Sequence, residues 1–296
     1  MDISTLKSRR YDINKLVEAA AEANGSNNKS DNNRDENLWK PTVDKAGNGY
    51  AVIRFLPNEA DVPWVRYWDH GFKGPTGKWY IEKSLTSIGQ TDPLGELNSR
   101  LWSTGNEADR EQVRKQKRRL HYVVNILVVS DPSAPENEGK VFKYQFGKKI
   151  FDKIEDLMQP KFPGEVPVDP FDLWSGADFQ LKIRNVEGYR NYDRSEFKEP
   201  SQLFDGDEVQ IQAALNQLHN IHEYVDPDTY KSYDELKSKL NDVLGETAPR
   251  TIKEEVALDT QDNTPPWDPA PATAEAAGDE GDDDAMSFFQ KLANAD

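Results

Sequence analysis

The stretch LHYVVNILVVSDPSAPENEGKVFKYQF, residues 120–146, has the pattern of two strands joined by a long turn. Its first ten residues form a mostly apolar run of strand length, and the proline-rich residues 131–139 favour a chain reversal. In the return segment, Val141 to Phe146, aromatic and polar side chains alternate, so the rings share one face. The sequence therefore predicts a hairpin with an aromatic face.

A basic segment precedes this hairpin directly. Residues 110–119 contain six cations and one opposing acid, Glu111, a local net charge of +5 in a chain of formal charge −16. Lys148, Lys149 and Lys153 follow the return strand. Cations for phosphates and aromatics for bases are the two ingredients of a single-stranded nucleic-acid site. An exposed basic loop ahead of a purely structural hairpin is the alternative.

The acidity of the chain, which argues against a nucleic-acid partner, is concentrated at one end. Residues 246–296 carry 13 acidic and 3 basic side chains, a net charge of −10 that leaves −6 for residues 1–245. A basic patch is compatible with so mildly acidic a body. The 296 residues contain no cysteine, which excludes disulfides and thiolate zinc sites, and no apolar run long enough to cross a bilayer. We expect a soluble intracellular protein.

Alternation and helical spacing predict further elements on both sides of the hairpin. Strands are expected at residues 49–57, 64–68, 78–82 and 179–184, and helices at residues 149–158, 207–221 and 233–244. Ser232 and Glu235 have the spacing of a capping box at the start of the last helix. Residues 84–105 have weak periodicity, and we expect a loop-rich excursion there.

No catalytic constellation stands out in the sequence. The chain has neither a glycine-rich phosphate loop after a strand nor a Gly-x-Ser-x-Gly elbow. His219 and His222 lack the spacing of a zinc protease, and we interpret them as a helix end. Asp226 and Asp228 are interpreted as part of a turn. We therefore expect that the protein is not an enzyme.

Several segments together resemble the single-stranded DNA-binding (helix-destabilising) proteins of T-even-type tailed bacteriophages. The resemblance covers roughly residues 7–245 and rests on Asn48–Pro57, His70–Phe72 with Gly77–Glu82, Asn125–Ile150, Gly188–Asp193 and Lys231–Leu236. It implies a mixed α+β fold with an OB-fold core, which is a five-stranded β-barrel, together with a loop-rich subdomain and peripheral helices.

The resemblance also implies four regions along the chain. Residues 1–25 would be a basic cooperativity segment, residues 26–37 a linker, residues 38–245 the DNA-binding core, and residues 246–296 a disordered acidic tail that binds partners. Within the core, residues 84–105 would be a degenerate form of the family's zinc subdomain. Frayed, solvated termini are the alternative interpretation of both ends.

The residues and the resemblance together nominate three sets of functional side chains. Those expected to contact single-stranded DNA are Arg54, Arg114, Lys115, Lys117, Arg118, Arg119, Tyr122, Tyr144, Lys148, Lys149, Tyr189 and Tyr192. Those expected to serve cooperativity are Lys7, Arg9 and Arg10, and those expected to bind partner proteins are Asp282, Asp283, Asp284, Phe288, Phe289 and Leu292. The interpretation requires the cations and rings of the first set to be displayed along one groove.

One departure from the family concerns its metal. The best-known members hold zinc with one histidine and three cysteines. His70 is retained here, but the cysteine positions fall at about Ser84, Asp92 and Gly95. We therefore expect no cofactor and the loss of the zinc site.

The expected function is cooperative, sequence-nonspecific binding of single-stranded DNA in phage DNA replication, recombination and repair, in the cytoplasm of the infected bacterial host. The expected partners are single-stranded DNA, further copies of the chain along that DNA, and phage replication and recombination proteins that contact the tail; no membrane is expected. An acidic protein-binding adaptor or DNA mimic that acts through its tail is the alternative. A metal-dependent nuclease is a third hypothesis, which no carboxylate spacing supports.

Overall fold

The computed structural model describes residues 28–29 and 35–245, and it shows a mixed α+β protein. The strands are β1 (Asn28–Lys29), β2 (Leu38–Trp39), β3 (Gly49–Phe55), β4 (Trp64–Lys73), β5 (Trp79–Lys83), β6 (Arg119–Ser130), β7 (Val141–Phe146), β8 (Phe179–Val186), β9 (Tyr189–Asn191), β10 (Glu196–Phe197) and β11 (Asp228–Thr229). The helices are α1 (Pro93–Ser103), α2 (Glu107–Gln116), α3 (Lys148–Met158), α4 (Glu208–Leu215) and α5 (Tyr233–Leu244). The predicted N-terminal segment, most of the linker and the tail lie outside the described residues.

The described residues divide into two compact units. The first unit contains residues 35–66 and 121–224, and the second contains residues 28–29, 67–120 and 225–245. The sequence suggested a single core over residues 38–245, with an excursion at residues 84–105. That excursion lies wholly in the second unit.

Strand β6 organises the sheet of the first unit. β3 lies antiparallel beside β6, and β8 lies antiparallel beside β3. β7 is antiparallel to β6, from Tyr122 opposite Phe146 to Leu127 opposite Val141, which confirms the predicted hairpin. β2 adds to β7 in parallel, β10 pairs with the start of β8, and β9 folds back on its end.

Aromatic side chains fill the core of the first unit. Phe55 on β3 is fully buried, and its ring centroid lies between 5.7 and 6.0 Å from those of four other phenylalanines. The four are Phe146, Phe171, Phe179 and Phe197. Tilted ring pairs at such distances are favourable beyond the area that they bury. Because these rings come from four separate segments, the core ties the sheet to the loop that precedes β8.

Helix α4 is shorter than the sequence predicted, and a long-range contact explains why. The side chain of Asn125 on β6 donates to the carbonyl of His219 at 2.9 Å and accepts from the amide of His219 at 3.0 Å. These bonds hold the chain after Leu215 in a non-helical path against the sheet. The predicted helix over residues 207–221 is therefore wrong beyond Leu215, because tertiary hydrogen bonds outweigh helical spacing.

The second unit combines the β4–β5 hairpin with three helices. Helix α5 begins with the predicted capping box at Ser232 and Glu235, which is confirmed. The predicted loop-rich excursion over residues 84–105 is wrong, because α1 occupies half of it. Asp92 caps α1 and Pro93 holds its first position, an arrangement that favours helix initiation. Helix α2 packs on α1 through a buried hydrogen bond of 2.6 Å from Gln116 to Asn98.

Candidate nucleic-acid interface

The most exposed aromatic of the predicted set lies on the β8–β9 hairpin of the first unit. Glu187 and Gly188 both have positive φ, 54° and 88°, as a two-residue turn of this hairpin requires. Val186 pairs with Tyr189 across the turn, and the Tyr189 side chain is 59% exposed. A rigid hairpin with an exposed tyrosine is a suitable platform for stacking on a base.

Three cations lie near Asp193, the second residue after the hairpin. Lys153 Nζ donates to the backbone carbonyl of Asp193 at 3.1 Å, and Lys149 Nζ lies 4.0 Å from the Asp193 carboxylate. The hydrogen bond from Asn191 lowers the pKa of Asp193, and Lys149, Lys153 and Arg184 lower it further although burial opposes them. Three cations therefore lie near one exposed carboxylate, that of Asp193.

Tyr192 and Tyr144 lie close together beside the hairpin, but only one of them is accessible. Burial raises the pKa of Tyr144 well above its ordinary value, with Tyr192 adding to the effect and Arg190 opposing it. Tyr144 is 3% exposed and meets Trp39 edge-on with centroids 5.2 Å apart, whereas Tyr192 is half-buried. The prediction that Tyr144 displays its ring for stacking is therefore corrected: it supports the surface from below.

Tyr122 is also buried. Its ring stacks on Phe151 of α3 with centroids 3.9 Å apart and planes 4° from parallel. Burial raises the pKa of Tyr122 to about 12, and a hydrogen bond with Arg66 opposes the shift. In this structure Tyr122 packs α3 against the sheet, and its predicted role as a stacking surface is corrected for the same reason as that of Tyr144.

Arg54 is the third predicted contact that the structure buries. One guanidinium nitrogen donates to the carbonyls of Asp172 at 3.0 Å and Ser201 at 2.8 Å, and another lies 3.5 Å from Asp178. Burial lowers the pKa of Arg54, although Asp178 opposes the shift. β3 is covered on both faces, so its alternation has no solvent-facing side on which a cation could meet phosphate. The prediction for Arg54 is therefore corrected: it is a structural arginine that joins β3 to two loops, one containing Asp172 and Asp178 and the other containing Ser201.

The predicted basic cluster of residues 114–119 belongs to the second unit and is partly neutralised by nearby acids. Arg114 pairs with Glu107 at 2.7 Å, and Arg119 pairs with Asp69 at 3.0 Å. Both arginines remain more than two-fifths exposed, as does Lys115. Exposed ion pairs contribute little to stability, so phosphates can compete for these cations.

Arg118 differs from its neighbours in this cluster because it stacks on an aromatic ring. Its guanidinium lies 4.1 Å from the centre of the Trp68 ring, and Nη1 donates to Thr86 at 2.6 Å. Lys117 is half-buried. Arg118 is thus held in one orientation, whereas Arg114 and Lys115 extend from the solvent side of α2.

Several side chains near these positions were not among those predicted to contact DNA. Lys153, Arg184 and Arg190 lie around the β8–β9 hairpin, and Arg66 bonds to Tyr122. Arg184 and Arg190 flank a short turn with glycine, a signal that the sequence did contain. The position of Lys153, one helical turn after Lys149, was also readable once α3 was assigned. The predicted residues Lys7, Arg9, Arg10, Asp282, Asp283, Asp284, Phe288, Phe289 and Leu292 lie outside the described residues.

Comparison with known proteins identifies the family of the chain. A family model described as gp32 DNA binding protein like matches residues 47–244, which include the hairpin and the basic cluster. The chain belongs to this family. Among its relatives is the single-stranded DNA-binding protein of Enterobacteria phage T4, 42% identical over 245 residues, which are 80% of this chain and 79% of the relative. The single-stranded DNA-binding protein of Enterobacteria phage T2 is 43% identical over 222 residues, 72% of each chain.

The zinc ion that the gp32-type resemblance implies does not fit the residues present. The chain has no cysteine, and among the described residues no three histidine, aspartate or glutamate side chains are grouped to hold a metal. Nε2 of His70 lies 3.3 Å from Asp92, and both oxygens of Asp92 accept hydrogen bonds from other groups. In the described part of the chain no helix is long and apolar enough to cross a membrane.

Proposed function

We propose that this protein binds single-stranded DNA cooperatively and without sequence preference, as a non-enzymatic component of phage DNA replication, recombination and repair. The observations that carry the proposal are the exposed Tyr189 at the turn of the β8–β9 hairpin and the cations Lys149, Lys153 and Arg184 near Asp193, just after this hairpin. All of them lie within the part of the chain that matches the gp32 family. Both named relatives are single-stranded DNA-binding proteins.

The chemistry follows from the side chains on this surface. Lysine and arginine contact phosphates and release counterions, so the logarithm of affinity falls with the logarithm of salt concentration, by about 0.7 for each phosphate contact. Tyr189 and Tyr192 stack on bases, which contributes about 1–3 kcal/mol for each base and depends little on its identity. Further positive charge for the DNA backbone comes from both units. The side chains are Arg114, Lys115, Lys117, Arg118 and Arg119 of the second unit and Lys148 of the first.

The fold of the first unit is proposed to be an OB-fold barrel. Support comes from the antiparallel order of β8, β3, β6 and β7 around the twelve-residue strand β6, and from the family match. OB-folds bind single strands across the face of such a barrel. The zinc site is proposed to be lost, because the chain has no cysteine and the described residues contain no suitable cluster of histidine and acidic side chains.

The two ends of the chain are proposed to bind other protein molecules. Lys7, Arg9 and Arg10 would contact a neighbouring copy along the DNA, and the acidic tail with Phe288 would contact phage replication and recombination proteins. Charge reversal at the three N-terminal cations should abolish clustering on long strands while affinity for a short oligonucleotide is kept. Equal losses on both lengths would reject the cooperativity assignment. The proposed location is the cytoplasm of the infected host.

A fluorescence titration tests the DNA-binding proposal. Single-stranded oligonucleotides are added at several salt concentrations, and quenching of tyrosine and tryptophan emission reports binding. We expect tight binding with a steep salt dependence and little difference among homopolymer sequences. Weak binding that is insensitive to salt would reject the proposal, and magnesium-dependent degradation of the oligonucleotide would indicate a nuclease.

A further inference from the structure

A single buried carboxylate joins three segments of the second unit. Asp92 is 2% exposed, and its Oδ2 accepts hydrogen bonds from the amide of Leu85 at 3.0 Å and the hydroxyl of Ser84 at 3.1 Å. Its Oδ1 accepts from the amides of Leu94 and Gly95, both at 3.0 Å. The same oxygen lies 3.3 Å from Nε2 of His70 on β4. The carboxylate therefore contacts β4, the turn after β5 and the first turn of α1.

The side chains around Asp92 converge on one point in the interior. His70 is 1% exposed and Ser84 is fully buried. A Cβ placed on Gly95 would lie 3.6 Å from the Cβ of Asp92 and 3.8 Å from its Oδ1. Neither ring nitrogen of His70 makes a well-aligned hydrogen bond in the described chain. These four positions are those at which the family resemblance places one histidine and three cysteines, and they do meet in space.

We infer that the Asp92 carboxylate replaces the metal ion as the group that holds this part of the fold together. A metal cation would join the segments by attracting thiolates and an imidazole. Here the central charge is negative instead of positive, because the carboxylate of Asp92 contacts three backbone amides, a hydroxyl and an imidazole. The inference is separate from DNA binding and concerns how the second unit folds without a metal.

The hydrogen-bonding capacity of a carboxylate suits this role. Two oxygens offer about four lone-pair sites, and four donors other than His70 occupy them. Burial opposes ionisation of Asp92, but the contact with His70 and the amide hydrogen bonds outweigh it and hold the pKa of Asp92 below its ordinary value. Hydrogen bonds to a charged acceptor are stronger than neutral ones, so the cluster can replace coordinate bonds.

Metal content and chelation test the inference on the unaltered protein. The full chain, purified from cells grown with added zinc, should contain far less than one zinc per chain. Incubation with a strong chelator should change its Tm by less than about 1 °C, because there is no bound ligand to remove. Stoichiometric zinc, or a melting transition that chelation lowers by several degrees, would overturn the inference.

Substitution of Asp92 tests its linking role. In Asp92→Asn one oxygen still caps α1, but the amide nitrogen faces the amide of Leu85, donor against donor. Hydrogen exchange of Leu85 and the first turn of α1 should become about tenfold faster or more, because a buried donor is left unpaired. Asp207→Asn is the matched control, since Asp207 caps α4 in the same way but is exposed.

If Asp92→Asn does not fold, Ser84→Ala provides a milder test, since it removes one donor and should accelerate exchange in the same segment only. Unchanged exchange in both variants would overturn the linking role. DNA affinity is measured in parallel. The cluster is inferred to stabilise the fold and not to bind DNA. If the unaltered protein does not bind DNA, the proposed function is rejected and this inference is unaffected.

The site can also be rebuilt. A variant with Ser84→Cys, Asp92→Cys and Gly95→Cys places three thiols around His70, the donor set of a structural zinc site. We expect it to bind one zinc or cobalt ion per chain, with the absorption of tetrahedral cobalt thiolate, and to melt at a lower temperature when a chelator is added. Failure of the folded variant to bind either ion would show that these positions do not replace a metal site.

Discussion

The ring of Tyr122 lies parallel to that of Phe151, with centroids 3.9 Å apart and planes 4° from parallel. The stack joins strand β6 to helix α3 inside the first unit, and Tyr122 is 4% exposed. A ring that is already stacked on a protein side chain and covered on its other sides is not available to a base. The position of Tyr122 therefore separates aromatics that build the fold from aromatics that bind DNA.

Tyr122→Phe should leave affinity for single-stranded DNA unchanged within about twofold, since the stack on Phe151 is kept and only the hydroxyl bond to Arg66 is lost. Tyr122→Ala should instead lower the free energy of unfolding by about 3–5 kcal/mol, the usual cost of emptying an aromatic core position. Urea denaturation and an oligonucleotide titration measure the two effects. A large loss of affinity in Tyr122→Phe, with stability retained, would mean that this tyrosine does contact DNA.

Tyr189→Ala should behave in the opposite way. Its side chain is 59% exposed, so stability should change little, whereas affinity should fall by about 5- to 150-fold if the ring stacks on one base. Phe162→Ala is the control, because Phe162 is 73% exposed but lies in the loop after α3. Equal effects of the two substitutions on titrations with a short oligonucleotide would remove Tyr189 from the site.

Local signals in the sequence were sufficient for the parts of the fold that local rules determine. The hairpin of β6 and β7, the strands β3 and β8, and the cap of α5 follow from alternation and from Ser232 with Glu235. Helix α1 was missed although Asp92 and Pro93 form a recognisable start, because weak apolar periodicity was given more weight than the cap.

The orientation of the site residues is determined by contacts with residues that are distant in the sequence. Arg54 donates hydrogen bonds to the carbonyls of Asp172 and Ser201. No local sequence pattern predicts partners that are so distant in the sequence. Tyr122 could have been assigned to the core, since it lies in a mostly apolar run of the kind found in strands buried on both faces. Whether a ring faces a core or a groove is decided by tertiary packing, and alternation alone does not report it.

Arg54→Met and Arg184→Met should separate structural from DNA-binding arginines on neighbouring strands. Arg54→Met leaves Asp178 and two carbonyls without their buried donor, so the free energy of unfolding should fall by about 3–5 kcal/mol. As long as the Arg54→Met variant is folded, its DNA binding should have the same salt dependence as that of the unaltered protein. Arg184→Met should keep its stability, and the slope of log affinity against log salt should become shallower by about 0.7. An altered salt slope in Arg54→Met with normal stability would contradict its assignment as structural.

Asp169 should make stability depend on pH. Burial raises its pKa to about 6, with Asp172 adding to the shift and the Phe171 amide and Arg54 opposing it. The folded state therefore holds this proton more tightly than the unfolded chain, in which an aspartate has a pKa of about 4. The stabilisation from this group is complete below pH 4 or so and is lost as the pH rises through about 6.

The substitution Asp169→Asn keeps an acceptor for the Phe171 amide and removes the ionisation. At pH 7 it should raise the free energy of unfolding by roughly 1–2 kcal/mol, and the difference from the unaltered protein should vanish towards pH 4. Asp44→Asn should instead lower the free energy of unfolding at pH 7, because hydrogen bonds, of which the one from Asn48 is the largest contributor, lower the pKa of Asp44. Urea denaturation at several pH values measures both, and a constant difference across the range would exclude Asp169 as the titrating group.

Removal of residues 246–296 should strengthen binding to single-stranded DNA. This segment has a net charge of −10, and we expect it to compete with phosphates for Lys149, Arg114 and the other exposed cations. The truncation is a clean one because Gly245 already ends α5 in a left-handed conformation and keeps its cap. The gain in affinity should be largest at low salt and should shrink as screening shortens the range of the competition to about 10 Å at 0.1 M. A full-length variant with Asp282, Asp283 and Asp284 changed to Asn should give an intermediate gain. Weaker binding by the truncated protein at every salt concentration would show that the tail assists DNA binding and does not compete with it.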